Sequence, residues 1–101
     1  MKESLANATF KHNKDQQQYE LHVDNFIAVV EYIEQDGKIN LAHTFVPEEL
    51  AGKGVGSEVA KRTLESLKRD NASVIASCPF IAKYIDRHPE YASMLSTGYQ
   101  M

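Results

Sequence analysis

A chain of 101 residues can bury one modest hydrophobic core but has no room for two, so we expect a single domain over residues 1–101. The formal net charge of −3 and the lack of a basic stripe with interleaved aromatic residues argue against a nucleic-acid partner. The single cysteine excludes an internal disulfide framework, and the four histidines show no metal-ligand spacing, so we expect no metal site.

The chain begins MKESLANATF, which lacks the apolar core of a secretory signal peptide. No later run of apolar residues approaches the roughly 18 residues that a membrane-spanning helix needs. We therefore expect a cytoplasmic protein without membrane contact.

The first half of the chain predicts four strands. A first strand is expected over residues 9–12, and residues 18–23 alternate polar and apolar side chains with the period of a half-buried strand. Residues 26–34 are rich in β-branched and aromatic side chains, which favour a third strand. The Asp-Gly pair at 36–37 is a strong hairpin signal, so residues 38–46 should pair antiparallel with the third strand.

The second half predicts two helices around one short strand. Residues 56–70 place apolar side chains on one face, as a helix packed on a sheet requires. Residues 72–77 contain Val-Ile-Ala and predict a buried strand, which after a helix should be parallel to the preceding one. Pro79 suits the first position of a second helix that ends near His88. We expect an α/β (α+β) fold with a mixed, mostly antiparallel sheet of about five strands and two main helices.

Three glycines, Gly52, Gly54 and Gly56, stand between the strand that ends at Val46 and the first helix. Unpaired N–H groups at a helix N-terminus and the positive end of the helix dipole suit a phosphate or another anion, and glycine allows a close approach. The spacing matches neither the P-loop nor the Gly-x-Gly-x-x-Gly dinucleotide fingerprint. A glycine-rich connection that binds no ligand is the alternative.

The stretch Ala51-Gly52-Lys53-Gly54-Val55-Gly56 resembles the acyl-CoA loop of GNAT acetyltransferases, in which Gln or Arg, two residues, Gly, one residue and then Gly or Ala follow one another. The likeness extends to the stretches at 43–44, 77–85 and 87–91, and it spans residues 26–91. Together these motifs resemble a small GNAT-like family that carries a cysteine after the strand that follows the CoA helix. The resemblance implies a minimal GNAT fold.

The resemblance implies acetyl-CoA-dependent transfer of an acetyl group to an unidentified amine, either a small molecule or a protein or peptide. Only residues 13–17 separate the first two strands, where a full GNAT domain has two helices that help to wall the acceptor site. Ala51 replaces the polar residue of the loop signature, and Phe45 stands where many small members have an acidic residue. A CoA or acyl-CoA binding module with little or no turnover is therefore the alternative. The sequence indicates neither the acceptor nor the oligomeric state.

In the GNAT scheme a backbone N–H near Phe45 or Val46 stabilises the thioester oxygen, pantetheine lies between two strand ends and the pyrophosphate meets the glycine loop. Lys83 is a candidate for a phosphate contact, although an exposed helix lysine needs no ligand. The implied acyl-CoA contacts are Phe45, Val46, Ala51, Gly52, Lys53, Gly54, Val55, Gly56, Ser57, Cys78, Pro79 and Lys83.

Three residues are candidates for catalysis. Cys78 directly precedes Pro79, so the helix dipole would favour its thiolate, and the resemblance makes it a candidate acetyl acceptor; the alternative is a buried structural cysteine. Tyr84 stands where GNAT enzymes often place a tyrosine that protonates the departing thiolate, and a core or rim aromatic is the alternative. His43 has the chemistry of a general base, or of a histidine hydrogen-bonded within the sheet.

Overall fold

The structure, a computed structural model, describes residues 8–95. The strands are β1 (Thr9–Asn13), β2 (Gln18–Val23), β3 (Phe26–Gln35), β4 (Lys38–Phe45) and β5 (Val74–Ala76), and the helices are α1 (Val55–Arg69) and α2 (Pro79–Arg87). Every predicted strand and helix is confirmed, and the predicted ends differ from the observed ones by no more than two residues. Two short 3₁₀ turns, Glu48–Leu50 and Pro89–Met94, were not predicted.

The five strands form one sheet in the order β1-β2-β3-β4-β5. The first four strands pair antiparallel with their neighbours, and β5 pairs parallel with β4 after the crossover through α1. The β3–β4 hairpin closes at Asp36 and Gly37, whose φ angles are 53° and 76°. Positive φ at both central residues belongs to the type I′ turn, which explains why an Asp-Gly pair is found there.

Both helices pack on the same face of the sheet. A single buried cluster joins alternate residues of β2 and β3 with Leu41 of β4 and with the apolar faces of α1 and α2. The helix residues in the cluster are Val55, Val59, Ala60, Leu64, Leu67, Ile81, Tyr84 and Ile85. The opposite face carries partly or fully exposed side chains such as Ile27, Glu31 and Ile33. We call it the helix-free face, in reference to residues 8–95.

Helix α1 ends in a Schellman motif. Asn71 has a φ angle of 56°, its N–H donates to the Lys68 carbonyl (3.1 Å), and the N–H of Ala72 donates to the Leu67 carbonyl (3.0 Å). These two bonds satisfy carbonyl groups that the helix leaves unpaired. Neither helix of the described residues is long and apolar enough to cross a membrane.

A β-bulge interrupts the pairing of β3 with β4. Tyr32 lies opposite Leu41 and Glu31 lies opposite His43, so Ala42 is an extra residue on β4. A bulge of this kind shifts the alternation of side chains by one position. As a result Thr44 pairs with the buried Val30 and lies on the helix-covered face together with Leu41.

A buried carboxylate anchors the helix-free face near β1. The side chain of Glu20 accepts hydrogen bonds from Gln18 Nε2 (2.7 Å), Asn13 Nδ2 (2.9 Å) and His22 Nε2 (2.8 Å), and the residue is only 8% exposed. Hydrogen bonds to a carboxylate favour its ionised form. These bonds lower the pKa of Glu20 from its usual 4.5 to about 2.

We expect the stability that the Glu20 network contributes to depend on pH. The unfolded chain takes up this proton near pH 4.5 and the folded chain near pH 2, so the contribution is fully present above pH 4.5 and is lost as the pH falls to 2. Glu20→Gln should therefore lower the urea-unfolding free energy at pH 7 and have a smaller effect at pH 3. Circular dichroism measures both, and the exposed Glu34→Gln is the control. An effect of Glu20→Gln that stays equal at the two pH values would contradict this account.

Candidate active site

Strands β4 and β5 separate soon after they meet. Their pairing covers only Ile39 to Leu41 on β4, opposite Val74 to Ala76, and its last described bond runs from the Cys78 N–H to the Leu41 carbonyl (2.9 Å). Strand β4 continues beyond Leu41 to Phe45, whereas the chain after β5 turns into α2. A cleft therefore opens between the end of β4 and the start of α2.

The register shows which main-chain groups face this cleft. The Tyr32 N–H donates toward β2 (3.0 Å). The main-chain groups of successive strand residues point alternately to the two neighbouring strands, so those of Val29, three positions before Tyr32, point toward β4. There Val29 pairs with Phe45. The N–H of Phe45 is thus directed at β3. Thr44, the preceding residue, directs its main-chain groups away from β3 and toward the cleft. Of the two residues predicted to offer a backbone N–H, Phe45 directs its own at β3, so Val46, which directly follows β4, remains the candidate.

Cys78 lies at the inner end of the cleft, at the N-cap of α2. Its backbone is extended (φ −74°, ψ 122°), Pro79 occupies the first turn, and the Ala82 N–H closes that turn on the Cys78 carbonyl (3.0 Å). The side chain is 5% exposed, and its Sγ lies 3.4 Å from Thr44 Oγ1. The bulge in β4 brings Thr44 to the face where this contact forms. The structure thus pairs the predicted cysteine with a hydroxyl that sequence reasoning missed.

The glycine loop ends in an N-terminus that no side chain caps. Gly52 and Gly54 have φ angles of 78° and 77°, and Gly54 is the N-cap of α1. The first N–H with a described helical acceptor is that of Glu58, which donates to the Gly54 carbonyl (3.0 Å). The N–H groups of residues 55–57 have no described partner, as is usual for the first turn of a helix. They are available to an anion at the dipole's positive end.

The absence of a side chain at Gly56 is explained by helix packing as well as by a possible ligand. A Cβ atom at Gly56 would lie 3.0 Å from Cζ of Phe80, so the absence of a side chain allows the first turns of α1 and α2 to approach each other. Phe80 itself is 41% exposed. The close approach places the glycine loop and the exposed side of α2 next to each other.

Tyr84 lies at the middle of α2, in a stack of rings. It packs against His88 (centroids 4.0 Å apart) and Tyr91 (6.1 Å), and it is largely buried. Burial raises the pKa of Tyr84, and the charges of Glu58, Glu90 and Glu65 add to the effect. The hydroxyl therefore stays protonated at neutral pH and can act as a donor.

A pocket of about 250 Å³ runs along the exposed side of α2. Its lining residues are Ser57, Phe80, Lys83, Tyr84, Arg87 and His88. Lys83 and Ser57 were predicted to contact acyl-CoA, whereas Arg87 was not predicted for any site. Spacings of three and four residues put the α2 members on one helix face, but only the folded chain brings Ser57 to them.

His43 is not brought together with Cys78 and Tyr84. It pairs with Glu31 across β3 and β4, and both side chains are exposed on the helix-free face. Phe45, 53% exposed, follows two positions later on the same strand. Cys78 approaches the cleft from the helix-covered face, so the two residues border the cleft from opposite sides. Within residues 8–95, no three His, Cys, Asp or Glu side chains are grouped to hold a metal ion.

Comparison with known proteins agrees with this geometry. The sequence model of a family described as GCN5-related N-acetyl-transferase matches residues 18–94. The chain belongs to this family. Its fold is similar to the NMR solution structure of a GCN5-like putative N-acetyltransferase from Staphylococcus aureus, with a TM-score of 0.66 and 26% sequence identity over 90% of each chain. The predicted family and fold are confirmed.

Curated relatives of this GNAT chain include vertebrate proteins named NATD1. The protein from Mus musculus is 26% identical over 85 residues, which cover 78% of this chain and 74% of that protein. The protein from Danio rerio is 26% identical over 89 residues, which cover 80% of this chain and 78% of that protein. The shared region therefore includes most of each polypeptide.

The contact of Gly56 with Phe80 can be tested by a double-mutant cycle. Gly56 is the second residue of α1, and the gain from alanine there should not exceed the roughly 0.5–1 kcal/mol by which alanine stabilises a helix interior relative to glycine. Since the new Cβ would press on Phe80, we expect Gly56→Ala to forfeit most of this gain in the wild-type chain and to deliver it in the Phe80→Ala variant. Urea unfolding of the four proteins measures the coupling. Equal effects of Gly56→Ala in both backgrounds would show that the contact has no energetic weight.

Proposed function

We propose that this GNAT-family chain is an acetyl-CoA-dependent N-acetyltransferase. The observation that carries the proposal is the cleft between β4 and β5, which has Cys78 at its inner end, together with the uncapped N-terminus of α1. A cleft lined by unpaired main-chain groups suits an extended ligand that can pair like an additional strand. The helix N-terminus suits the anionic end of the same ligand.

Acetyl-CoA fits the residues of the cleft in extended form. The amide groups of the pantetheine arm would pair with the main chain at Thr44 and Val46, and the pyrophosphate would accept from the N–H groups of residues 55–57. Lys53, exposed in the loop, would add a positive charge. The neighbouring Ala51 contributes no polar side chain, so the backbone and Lys53 would supply most of the pyrophosphate contacts.

We propose a route through an acetylated cysteine. The Cys78 thiolate attacks the thioester carbonyl; a new C–S bond to Cys78 forms, the bond to CoA sulfur breaks, and the departing CoA thiolate takes up a proton. A neutral amine then attacks the acetyl-Cys78 carbonyl, a C–N bond forms, and the Cys78 thiolate is released. The surplus proton of the amine passes to a base. The N–H of Val46 would stabilise the oxyanion of each step.

The remaining candidates have proposed roles in proton transfer. Tyr84, whose hydroxyl stays protonated, would supply the proton to the CoA thiolate. His43 would accept the proton of the amine, since it lies at the side of the cleft opposite to Cys78. An amine that arrives from the helix-free face would meet His43, Glu31 and Phe45 first. This open approach admits a protein or peptide amine as readily as a small one.

A binding module for CoA or acyl-CoA with little or no turnover is the second candidate. It is favoured by the low exposure of Cys78 and by Ala51 in the loop. It shares the cleft and the ligand with the enzyme, but it predicts no acetylated amine.

Calorimetric titration with acetyl-CoA, CoA and adenosine diphosphate tests both candidates. We expect saturable binding of acetyl-CoA and CoA, and weaker binding of the diphosphate, which lacks the pantetheine arm. Saturating ligand, at about 100 times its dissociation constant, should also stabilise the fold by about 2.7 kcal/mol. No binding of acetyl-CoA at millimolar concentration would overturn both candidates, whereas binding without acetylation of any amine in a panel would favour the module.

The covalent route predicts a distinct product. Incubation with acetyl-CoA in the absence of amine should add one acetyl group at Cys78, and Cys78→Ala should abolish it. Thr44→Val should slow acetylation about five- to tenfold, because a hydrogen bond to the sulfur worth about 1 kcal/mol or somewhat more is lost, while Thr44→Ser keeps the hydroxyl. Intact-protein mass spectrometry with time measures each rate. Full amine acetylation by Cys78→Ala would replace this route by direct transfer.

A further inference from the structure

The pocket along α2 contains more positive charge than the proposed chemistry uses. Phe80, Lys83 and Arg87 recur at three- and four-residue intervals, so they form one row along the helix. Lys83 and Arg87 are exposed, and both line the pocket of about 250 Å³. At the far end His88 is held in place, since its Nδ1 donates to the Tyr84 carbonyl (2.9 Å).

Asp86 and Glu90 flank Arg87 in sequence, but among residues 8–95 no salt bridge joins an acidic residue to Lys83 or Arg87. Glu58 is close enough to influence Tyr84, but its carboxylate pairs with Arg62 at 2.7 Å. Lys83 and Arg87 therefore present two permanent cations, and Ser57 of α1 lines the same pocket. A pocket with two cations and a hydroxyl donor suits a phosphate monoester, which carries close to two negative charges and accepts several hydrogen bonds.

The pocket lies directly beside the glycine loop. Ser57 belongs to both, and Phe80 lies against Gly56. From Phe80 the helix rises about 4.5 Å to Lys83 and about 10 Å to Arg87. If the first anion lies beside Phe80, a second anion between Lys83 and Arg87 would be about 4.5–10 Å further along α2, a range that one sugar ring with a phosphate on either side can span. CoA carries such a pair, since its ribose bears the pyrophosphate at the 5′ position and a phosphate monoester at the 3′ position.

We propose that Lys83 and Arg87, with Ser57 and His88, form a subsite for the 3′-phosphate of CoA, and that this subsite makes the protein selective for CoA over dephospho-CoA. The inference rests on the proposed function, because it places the pyrophosphate at the glycine loop. The exposed Phe80 ring stands between the two phosphate positions, where it can pack against the nucleoside.

The test compares CoA with dephospho-CoA, which differ only in the 3′-phosphate. We expect the wild-type protein to bind CoA at least about tenfold more tightly by calorimetry, since charge-assisted bonds to the phosphate are lost in the shorter ligand. Lys83→Gln/Arg87→Gln removes both charges and keeps good helix formers at the two positions. This variant should bind the two ligands within about threefold of each other, mainly through weaker CoA binding.

Arg69→Ala is the matched control, because Arg69 is an exposed arginine at the opposite end of α1 from the loop. It should keep the wild-type ratio of the two affinities. Circular dichroism shows whether each variant is folded, and the dephospho-CoA affinity of the double variant, expected to be unchanged, shows that its site is intact.

The outcomes separate the two proposals. Equal binding of CoA and dephospho-CoA by the wild-type protein would overturn the 3′-phosphate subsite and leave the proposed function in place. If the double variant retained the wild-type preference for CoA over dephospho-CoA, the subsite would likewise be overturned and the proposed function would stay in place. Failure of the wild-type protein to bind either ligand would overturn the proposed function, and the subsite with it.

Discussion

The hydrogen bond from the Cys78 N–H to the Leu41 carbonyl is the interaction on which the site depends. Strand β5 is only three residues long, and this bond is the last that joins it to β4. The next residue is Pro79, whose fixed φ suits the first turn of a helix. The chain therefore leaves the sheet at Cys78, and the end of β4 keeps main-chain groups that no neighbouring strand within residues 8–95 uses. One short strand and one proline create both the cleft and the helix start beside it.

The extra residue at Ala42 decides what each side of the cleft contains. Strict alternation would put Leu41, His43 and Phe45 on the helix-covered face. The bulge instead returns Thr44 to that face beside Cys78 and leaves His43 and Phe45 on the helix-free face. It also turns the main chain of Thr44 toward the cleft. The one extra residue thus puts Thr44 and Cys78 on one face of the sheet and the His43 imidazole on the other.

The elements could be predicted from the sequence because each has a local cause: alternation in β2, the Asp-Gly turn, and the apolar face of α1. The glycine loop and Cys78 were predicted as site residues from local motifs for the same reason. Thr44 was missed because no residue near Ala42 predicts a bulge. The face of the sheet on which Thr44 lies is decided by the pairing of β4 with β3. Arg87 was missed because a cation on an exposed helix face is common, and only the folded chain shows that Arg87 shares a pocket with Ser57. Gly56 was assigned to a ligand, whereas its contact with Phe80 requires tertiary structure.

The position of both helices on one face has a consequence for the reaction proposed above. The cofactor's anionic groups would be held by α1 and α2, so acetyl-CoA would reach the cleft from the helix-covered face. Among residues 8–95, the other face presents side chains of the sheet around the cleft, including His43 and Phe45. The amine would therefore arrive from the opposite direction. The two substrates would meet in the cleft, which opens beyond the hydrogen bond between Cys78 and Leu41. Under this proposal, binding energy for acetyl-CoA would come from the glycine loop and the helix N-terminus, whereas recognition of the amine would depend on the exposed surface of the helix-free face. Such a surface has few groups that can reject a wrong acceptor, so selectivity in this fold would rest mainly on the acyl donor.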